Sequence, residues 1–304
     1  MEEEKIHETE VFSSEYDTIV LGGGAIKAFN ILGAMQYAYD NYLLKNIKTF
    51  IGTSGGSMIS YLLIIGYTPV EIITYLCTNQ IFEKIQNFNM VAMMNGLGAV
   101  SYLHIYEEME KLTIEKIGYI PTLKDIKEKF DKDFISVTYN FTENKIEYLS
   151  HDTHPNLPCL IAIRMSSNLP LVFEHFKYGN SHYIDGGLVN NFAIDIALEK
   201  GKNILGVYIE MSKNYSLSKN SEFNVLEYIF KVIFIPLSEI LNLKLKSIDK
   251  NNRKIDIIKI TDAKNTNPFN FGISIKNRLD LFSNGYQTTK QYYEKNTNDV
   301  LLEE

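Results

Sequence analysis

The chain has 304 residues, 45% of them hydrophobic, with a formal net charge of −7 and two cysteines. That acidity disfavours nucleic acid as a partner, Cys77 and Cys159 argue against a disulfide scaffold or zinc site and point to a reducing, cytoplasmic setting, and no apolar run reaches the ~18 residues of a membrane span. With no Pro- or Gly/Ser-rich linker and no internal repeat, the chain reads as a single domain.

Residues 1–15 are acidic and polar and read as a flexible N-terminus, without the basic start and apolar core of a signal peptide. Tyr16 to Leu21 reads as a short buried strand. It runs into Gly22-Gly23-Gly24-Ala25-Ile26-Lys27-Ala28, and a helical stretch follows from Phe29 to Leu44. Small residues at a strand-to-helix junction expose backbone N–H groups, which either cradle a phosphate or hold the oxyanion of an acyl-transfer intermediate. The phosphate reading fails on spacing: Lys27 stands where the dinucleotide fingerprint needs its third glycine, and no Gly-Lys-[Ser/Thr] follows.

A second apolar run, Ile47 to Ile51, enters Gly52-Thr53-Ser54-Gly55-Gly56, and another, Met58 to Ile65, leaves it. A serine in G-x-S-x-G on such a turn has its hydroxyl pushed out of the sheet, where a nucleophile belongs. Gly52 and Gly56 are expected where chain segments approach too closely for a Cβ. The alternative is a glycine-rich turn carrying an ordinary serine.

Further helices are expected over Thr68 to Phe82, Tyr102 to Ile117 and Leu123 to Phe130. Strands are expected over Phe134 to Asn140 and Lys145 to Leu149, about a turn at Thr142-Glu143-Asn144, and over Asn203 to Glu210. Met90 to Met94 with Asn95 to Ala99 reads as a core helix end, with a mobile flap as the alternative. Downstream, Tyr183-Ile184-Asp185-Gly186-Gly187 places a carboxylate at the end of an apolar stretch.

A serine hydroxyl needs a base. The histidines are His7, His104, His151, His154, His175 and His182, and none follows Asp185, so the order Ser, acid, His is not available to it. A histidine triad would need His175 or His182 with an earlier acid such as Asp152. Those histidines read as exposed strand ends or a hairpin, and a Ser54/Asp185 dyad fits better.

Together the three segments resemble the patatin-like phospholipases, a family of lipid acyl hydrolases. Residues 161–173 (IAIRMSSNLPLVF) and, more weakly, Leu279 to Tyr286 (LDLFSNGY) are similar to further family segments. The resemblance implies an α/β three-layer sandwich with a central, mostly parallel sheet. Its catalytic core would span 16–212, with a helical extension over 213–290 and a tail from 291 to 304. It implies Ser54 as nucleophile, Asp185 as general base, and an oxyanion hole from Gly23, Gly24 and Ala25, with Gly22, Lys27, Gly52, Gly55, Gly56, Gly186 and Gly187 supporting the turns. Gly23 and Gly24 are favoured as donors over Ala25, which stands in a glycine position where any φ > 0 would strain it. A register that keeps all three glycines and inserts a residue before Lys27 stays open. Lys27 orients the loop, meets an anionic head group, or is a solvated lysine.

No metal or cofactor is required. The implied partner is a lipid substrate, cut through an acyl-serine intermediate. A soluble serine esterase or acyltransferase and a non-catalytic lipid-binding relative are the alternatives. Phe223 to Leu245, broken by Pro236 and followed by Lys244, Lys246, Lys250, Arg253 and Lys254, reads as a core-facing helix pair. The alternative is an amphipathic helix seated peripherally on an anionic membrane.

Overall fold

Eight strands make one sheet in the computed structural model, which describes residues 16–85, 89–95, 98–210, 225–249, 253–261, 268 and 270–301. The strands are β1 (Thr18–Leu21), β2 (Thr49–Thr53), β3 (Asp133–Asn140), β4 (Lys145–Leu149), β5 (Phe176–Tyr178), β6 (Ser181–Asp185), β7 (Ile204–Glu210) and β8 (Ile255–Thr261). Their order is β5-β6-β3-β2-β1-β7-β8, with β4 also paired to β3. The run from β3 through β8 is parallel; β4 and β6 lie antiparallel to β3, and β5 to β6.

The helices are α1 (Ala28–Asp40), α2 (Gly55–Ile64), α3 (Pro69–Thr78), α4 (Ile81–Ile85), α5 (Met90–Met94), α6 (Leu103–Ile117), α7 (Leu123–Phe130), α8 (Cys159–Ser166), α9 (Ile194–Lys200), α10 (Val225–Lys246) and α11 (Ile275–Leu301). Both faces of the parallel strands are covered, which is why these strands read as continuous apolar runs. Ile19, Leu21, Phe50, Leu205 and Val207 join one core with residues of α1, α2 and α3. Val20, Ile51, Ile204 and Tyr208 join a second with Ile194 and Ala197 of α9, against which Leu241 and Leu245 of α10 pack. This alternation makes three layers.

The helix starts are chemically marked. Thr68 and Thr122 each accept from the backbone N–H three residues on and have their own N–H bound by Glu71 and Asp125. The single helix expected over 68–82 is two, because Asn79 takes an extended conformation (φ −91°, ψ 148°) and its amide donates to Glu108 at 3.1 Å.

Two expectations for the C-terminal third are corrected. The stretch 213–290 is not wholly helical: Ile255, Ile258 and Ile260 of β8 are buried, and the strand pairs in parallel with β7 along its whole length. A parallel partner needs a crossover, and the described part of it is α10, which continues through Pro236 as one helix. Nor do residues 291–301 form a tail. They continue α11, held where Tyr292 donates to Asp256 at 2.7 Å and the Tyr16 and Tyr293 hydroxyls meet at 3.0 Å. The acidic segment 1–15 lies outside the described residues, as do 211–224, Lys250 and 302–304.

α11 lies against α1 so closely that a Cβ on Gly33 would fall 1.8 Å from the Phe282 carbonyl oxygen, and one on Gly285 would fall 1.8 Å from that of Asn30. Backbone cannot give way as a side chain would, so Gly33→Ala is expected to lower stability by about 3 kcal/mol. Urea unfolding of the two proteins checks this.

Candidate active site

The site is built where one edge of β3 changes partner. β2 pairs with β3 as far as Thr53 opposite Val137, and the next residue of β3, Thr138, pairs with Asp185 of β6. β4 pairs with β3 across both stretches and so takes the opposite edge. β2 and β6 therefore meet end to end on the same edge, and the residue leaving β2, Ser54, arrives beside the last residue of β6, Asp185. This register brings together two residues 131 positions apart in sequence.

Ser54 caps α2 with φ 53° and ψ −122°. That conformation strains any residue with a Cβ, by about 1–3 kcal/mol. Its N–H donates to the Ser166 hydroxyl at 2.9 Å. Asp185 is 4% exposed. Burial pushes its carboxyl up to about 6, and hydrogen bonds from the Ser54 hydroxyl and the Gly187 N–H hold part of that rise back. The Gly187 bond is 2.7 Å.

The end of α8 brackets both residues. Ser166 takes the N–H of Ser54, while the Asn168 carbonyl takes the N–H of Asp185 at 2.9 Å and the Asn168 amide donates to Tyr183 O at 2.7 Å. Buried Arg164 holds the Asn168 side chain at 2.6 Å and lies 3.9 Å over the Tyr102 ring. These residues fall inside the segment 161–173 that the sequence singled out, but their bonds to the two ends were not foreseen.

The glycine loop follows β1 and lies against the elbow. A Cβ on Gly23 would stand 3.0 Å from that of Ser54. The expected order of donors changes here. The Gly23 N–H is already taken, donating to the backbone carbonyl and the side-chain Oδ1 of Asn191, each at 3.2 Å, and the Asn191 amide returns a bond to Gly23 O at 3.3 Å. Among the described residues the N–H groups of Gly24 and Ala25 have no acceptor. From the sequence alone Asn191 has no assigned role; its place four residues past Gly187 was the available signal.

Ala25 adopts φ 45°, the conformation that an alanine in a glycine position was expected to resent. Ala25→Gly relieves the left-handed strain and adds chain entropy to the unfolded state, so stability should rise by up to about 1 kcal/mol, read from the denaturation midpoint.

Gly22, Gly52, Gly55, Gly56, Gly186 and Gly187 all lie in these turns. The contacts are closest at Gly56, where a Cβ would be 2.4 Å from Leu21 O, and at Gly186, where it would be 2.2 Å from Val137 O. Lys27 is 7% exposed and lines the cavity, so the solvated-lysine reading fails.

The cavity holds about 520 Å³ and opens over Ser54 and Asp185, with Phe234, Leu237 and Leu241 of α10 in its wall. Among the described residues no histidine lines it. His175 and His182 are exposed on the β5–β6 hairpin and its approach, and Asp152 pairs with His151 and Lys200 instead. Among the described residues no cluster of His, Cys, Asp or Glu is arranged to hold a metal, and no single helix is long and apolar enough to cross a membrane.

Several known proteins are similar to this chain. A probable lipid hydrolase, 463L, of Invertebrate iridescent virus 6 is 35% identical over 190 residues, 60% of this chain and 64% of that protein, so the match spans less than two thirds of that relative. An uncharacterized protein of Acanthamoeba polyphaga mimivirus is 24% identical over 291 residues, 92% of this chain and 95% of that protein. The crystal structure of VipD from Legionella pneumophila shares the fold, with a TM-score of 0.52 at 18% identity, covering 92% of this chain and 67% of VipD. The sequence profile described as patatin-like phospholipase matches residues 19–198, which take in the glycine loop, the G-x-S-x-G elbow and the Asp-Gly-Gly turn. With that match spanning more than half its length, the chain belongs to the patatin-like phospholipase family.

Proposed function

We propose that this chain is a lipid acyl hydrolase that cleaves carboxylic esters of phospholipids or related lipids through a Ser54/Asp185 dyad. Asp185 takes the hydroxyl proton as Ser54 Oγ bonds to the ester carbonyl carbon. The N–H groups of Gly24 and Ala25 hold the oxyanion, and Asp185 returns the proton to the leaving alkoxide. Water, deprotonated by the same carboxylate, then adds to the acyl carbon, the bond to Ser54 Oγ breaks, and Asp185 returns the proton to that oxygen as the fatty acid leaves. No metal enters these steps.

The observation that carries the reading is the change of partner on β3, which sets a buried carboxylate against a strained serine hydroxyl. Family membership and the name of the iridescent-virus relative favour lipid esters over other acyl donors. The apolar wall from α10 suits an acyl chain. Incubation with mixed phospholipid, galactolipid and neutral-lipid vesicles, followed by mass spectrometry, should show free fatty acid and the matching lyso-lipid. Ser54→Ala should release neither, and equal release from that variant would reject the reading.

The base works only as a carboxylate. With its pKa raised to about 6, kcat/KM should fall about tenfold per pH unit below that value and be level from about pH 7 upward. A profile level down to about pH 4 would mean that another group takes the proton.

A further inference from the structure

α10 walls the cavity with Phe234, Leu237 and Leu241 and carries beside them an exposed aliphatic stripe that meets the cavity at Ile235 and Ile240. Ile229, Val232, Pro236, Ile240 and Leu243 are spaced three, four, four and three residues apart, which places them on one side of a helix. With Ile235 at its edge, all of this stripe is exposed, its non-proline members between 36% and 66%. Glu239 is the single carboxylate on that side. An aliphatic face this continuous marks an interaction surface.

Three of the basic residues expected to seat this helix on anionic lipid are engaged elsewhere, while Lys246 is exposed and Lys250 lies outside the described residues. Lys244 pairs with Asp195 at 3.0 Å, Arg253 donates to Leu198 O at 3.0 Å, and Lys254 lies 4.9 Å over the Tyr16 ring. With Glu239 exposed on the stripe and Lys246 exposed at the end of α10, the remaining charges roughly offset, so attraction to negative head groups is a minor part of whatever covers the stripe.

We infer that the outer face of α10 docks into the acyl region of a zwitterionic lipid surface, and that it does so chiefly by burying aliphatic side chains. This deepens the lipid-hydrolase reading and rests on it for the nature of the substrate. A lipid occupant is favoured over a protein because the stripe runs into the cavity mouth above Ser54, where Ile235 and Ile240 are exposed and also line the cavity beside Phe234, Leu237 and Leu241. A surface holding Leu243 and Val232 therefore holds the cavity mouth at the source of acyl chains. Apart from Glu239, the stripe lacks the charged or hydrogen-bonding groups that give a protein interface its register. α10 packs against the short turn that follows Asp185, so docking loads the wall of the site directly.

The test uses the full chain with Ser54→Ala, so that lipid is not consumed, in flotation with phosphatidylcholine vesicles at low and high salt. The protein is expected to float at both. Val232→Glu with Leu243→Glu should lower the vesicle partition coefficient by about a hundredfold, near tenfold for each apolar side chain withdrawn. In the active chain the same pair should abolish vesicle hydrolysis and leave hydrolysis of a soluble short-chain p-nitrophenyl ester unchanged, which also reports that the variant is folded.

Flotation only with phosphatidylglycerol vesicles and only at low salt would overturn the proposal, as would equal flotation of the double variant. So would a dimer in sedimentation that the double variant dissolves, since the stripe would then belong to a second copy. The two readings fail separately. Loss of ester hydrolysis with flotation intact rejects the catalytic reading, and soluble-ester hydrolysis without flotation rejects the docking face.

Discussion

Asp185→Asn is expected to lower turnover by about ten-thousand-fold while raising the stability of the folded chain. The loss follows from the chemistry: an amide of the same shape cannot accept the Ser54 proton, and no described histidine lines the cavity to replace it. The gain follows from linkage. The carboxyl has its pKa raised from 3.8 to about 6 in the folded state, so the folded chain binds this proton more tightly than the unfolded chain. The penalty for burying the charge is absent below the unfolded value, grows as pH rises towards about 6, and is constant above it. Two pH units correspond to roughly 3 kcal/mol.

Asparagine removes that penalty and keeps an oxygen for the Gly187 N–H. The surviving gain should be about 1–2 kcal/mol near pH 8, shrinking as pH is lowered towards about 5. Urea unfolding at both pH values, beside turnover of a soluble ester, measures the two effects together. A variant that is inactive and also less stable at the higher pH would mean that Asp185 holds the fold rather than taking a proton.

The second large effect is expected at Asn191. Its side chain binds both the N–H and the C=O of Gly23, fixing the loop whose next two N–H groups face the oxyanion in the proposed mechanism. Asn191→Ala leaves Gly23 its bond to the Asn191 backbone carbonyl but frees the loop to turn. An oxyanion donor out of place costs about 100-fold in kcat. Because the loop acts on the transition state and not on the bound ester, KM should change little. Steady-state kinetics on a soluble ester separates the two. A raised KM with kcat intact would make Asn191 a substrate contact instead.

Much of this fold was legible because both faces of its parallel strands are buried. β1, β2 and β7 announce themselves as apolar runs, and the expected bounds of α7 and β4 coincide with the observed ones. The elbow that carries Ser54 and the strand end that carries Asp185 were legible because each turn needs glycines beside it.

Less legible were features set by partners distant in sequence. Residues 255–261 carry an isoleucine alternation that suits a half-buried edge strand, but only the pairing with β7 makes it one. Pro236 breaks isolated helices, yet α10 runs through it because Pro236 and Val232, whose carbonyl loses its bond to the missing N–H, are both exposed. The loop donors were misordered for the same reason. Gly23 is the better glycine by sequence, and only a side chain 168 residues away shows its N–H to be occupied.

The proposed chemistry begins with proton transfer from Ser54 to Asp185, and labelling with a fluorophosphonate across pH tests that step most directly. Mass spectrometry of the wild-type chain should show one adduct, on Ser54, formed at a rate that titrates with a midpoint near pH 6. In Asp185→Asn the rate should be low and independent of pH over that range. Labelling of Ser54 in that variant at the wild-type rate, or with the same midpoint, would contradict a role for Asp185 as its base.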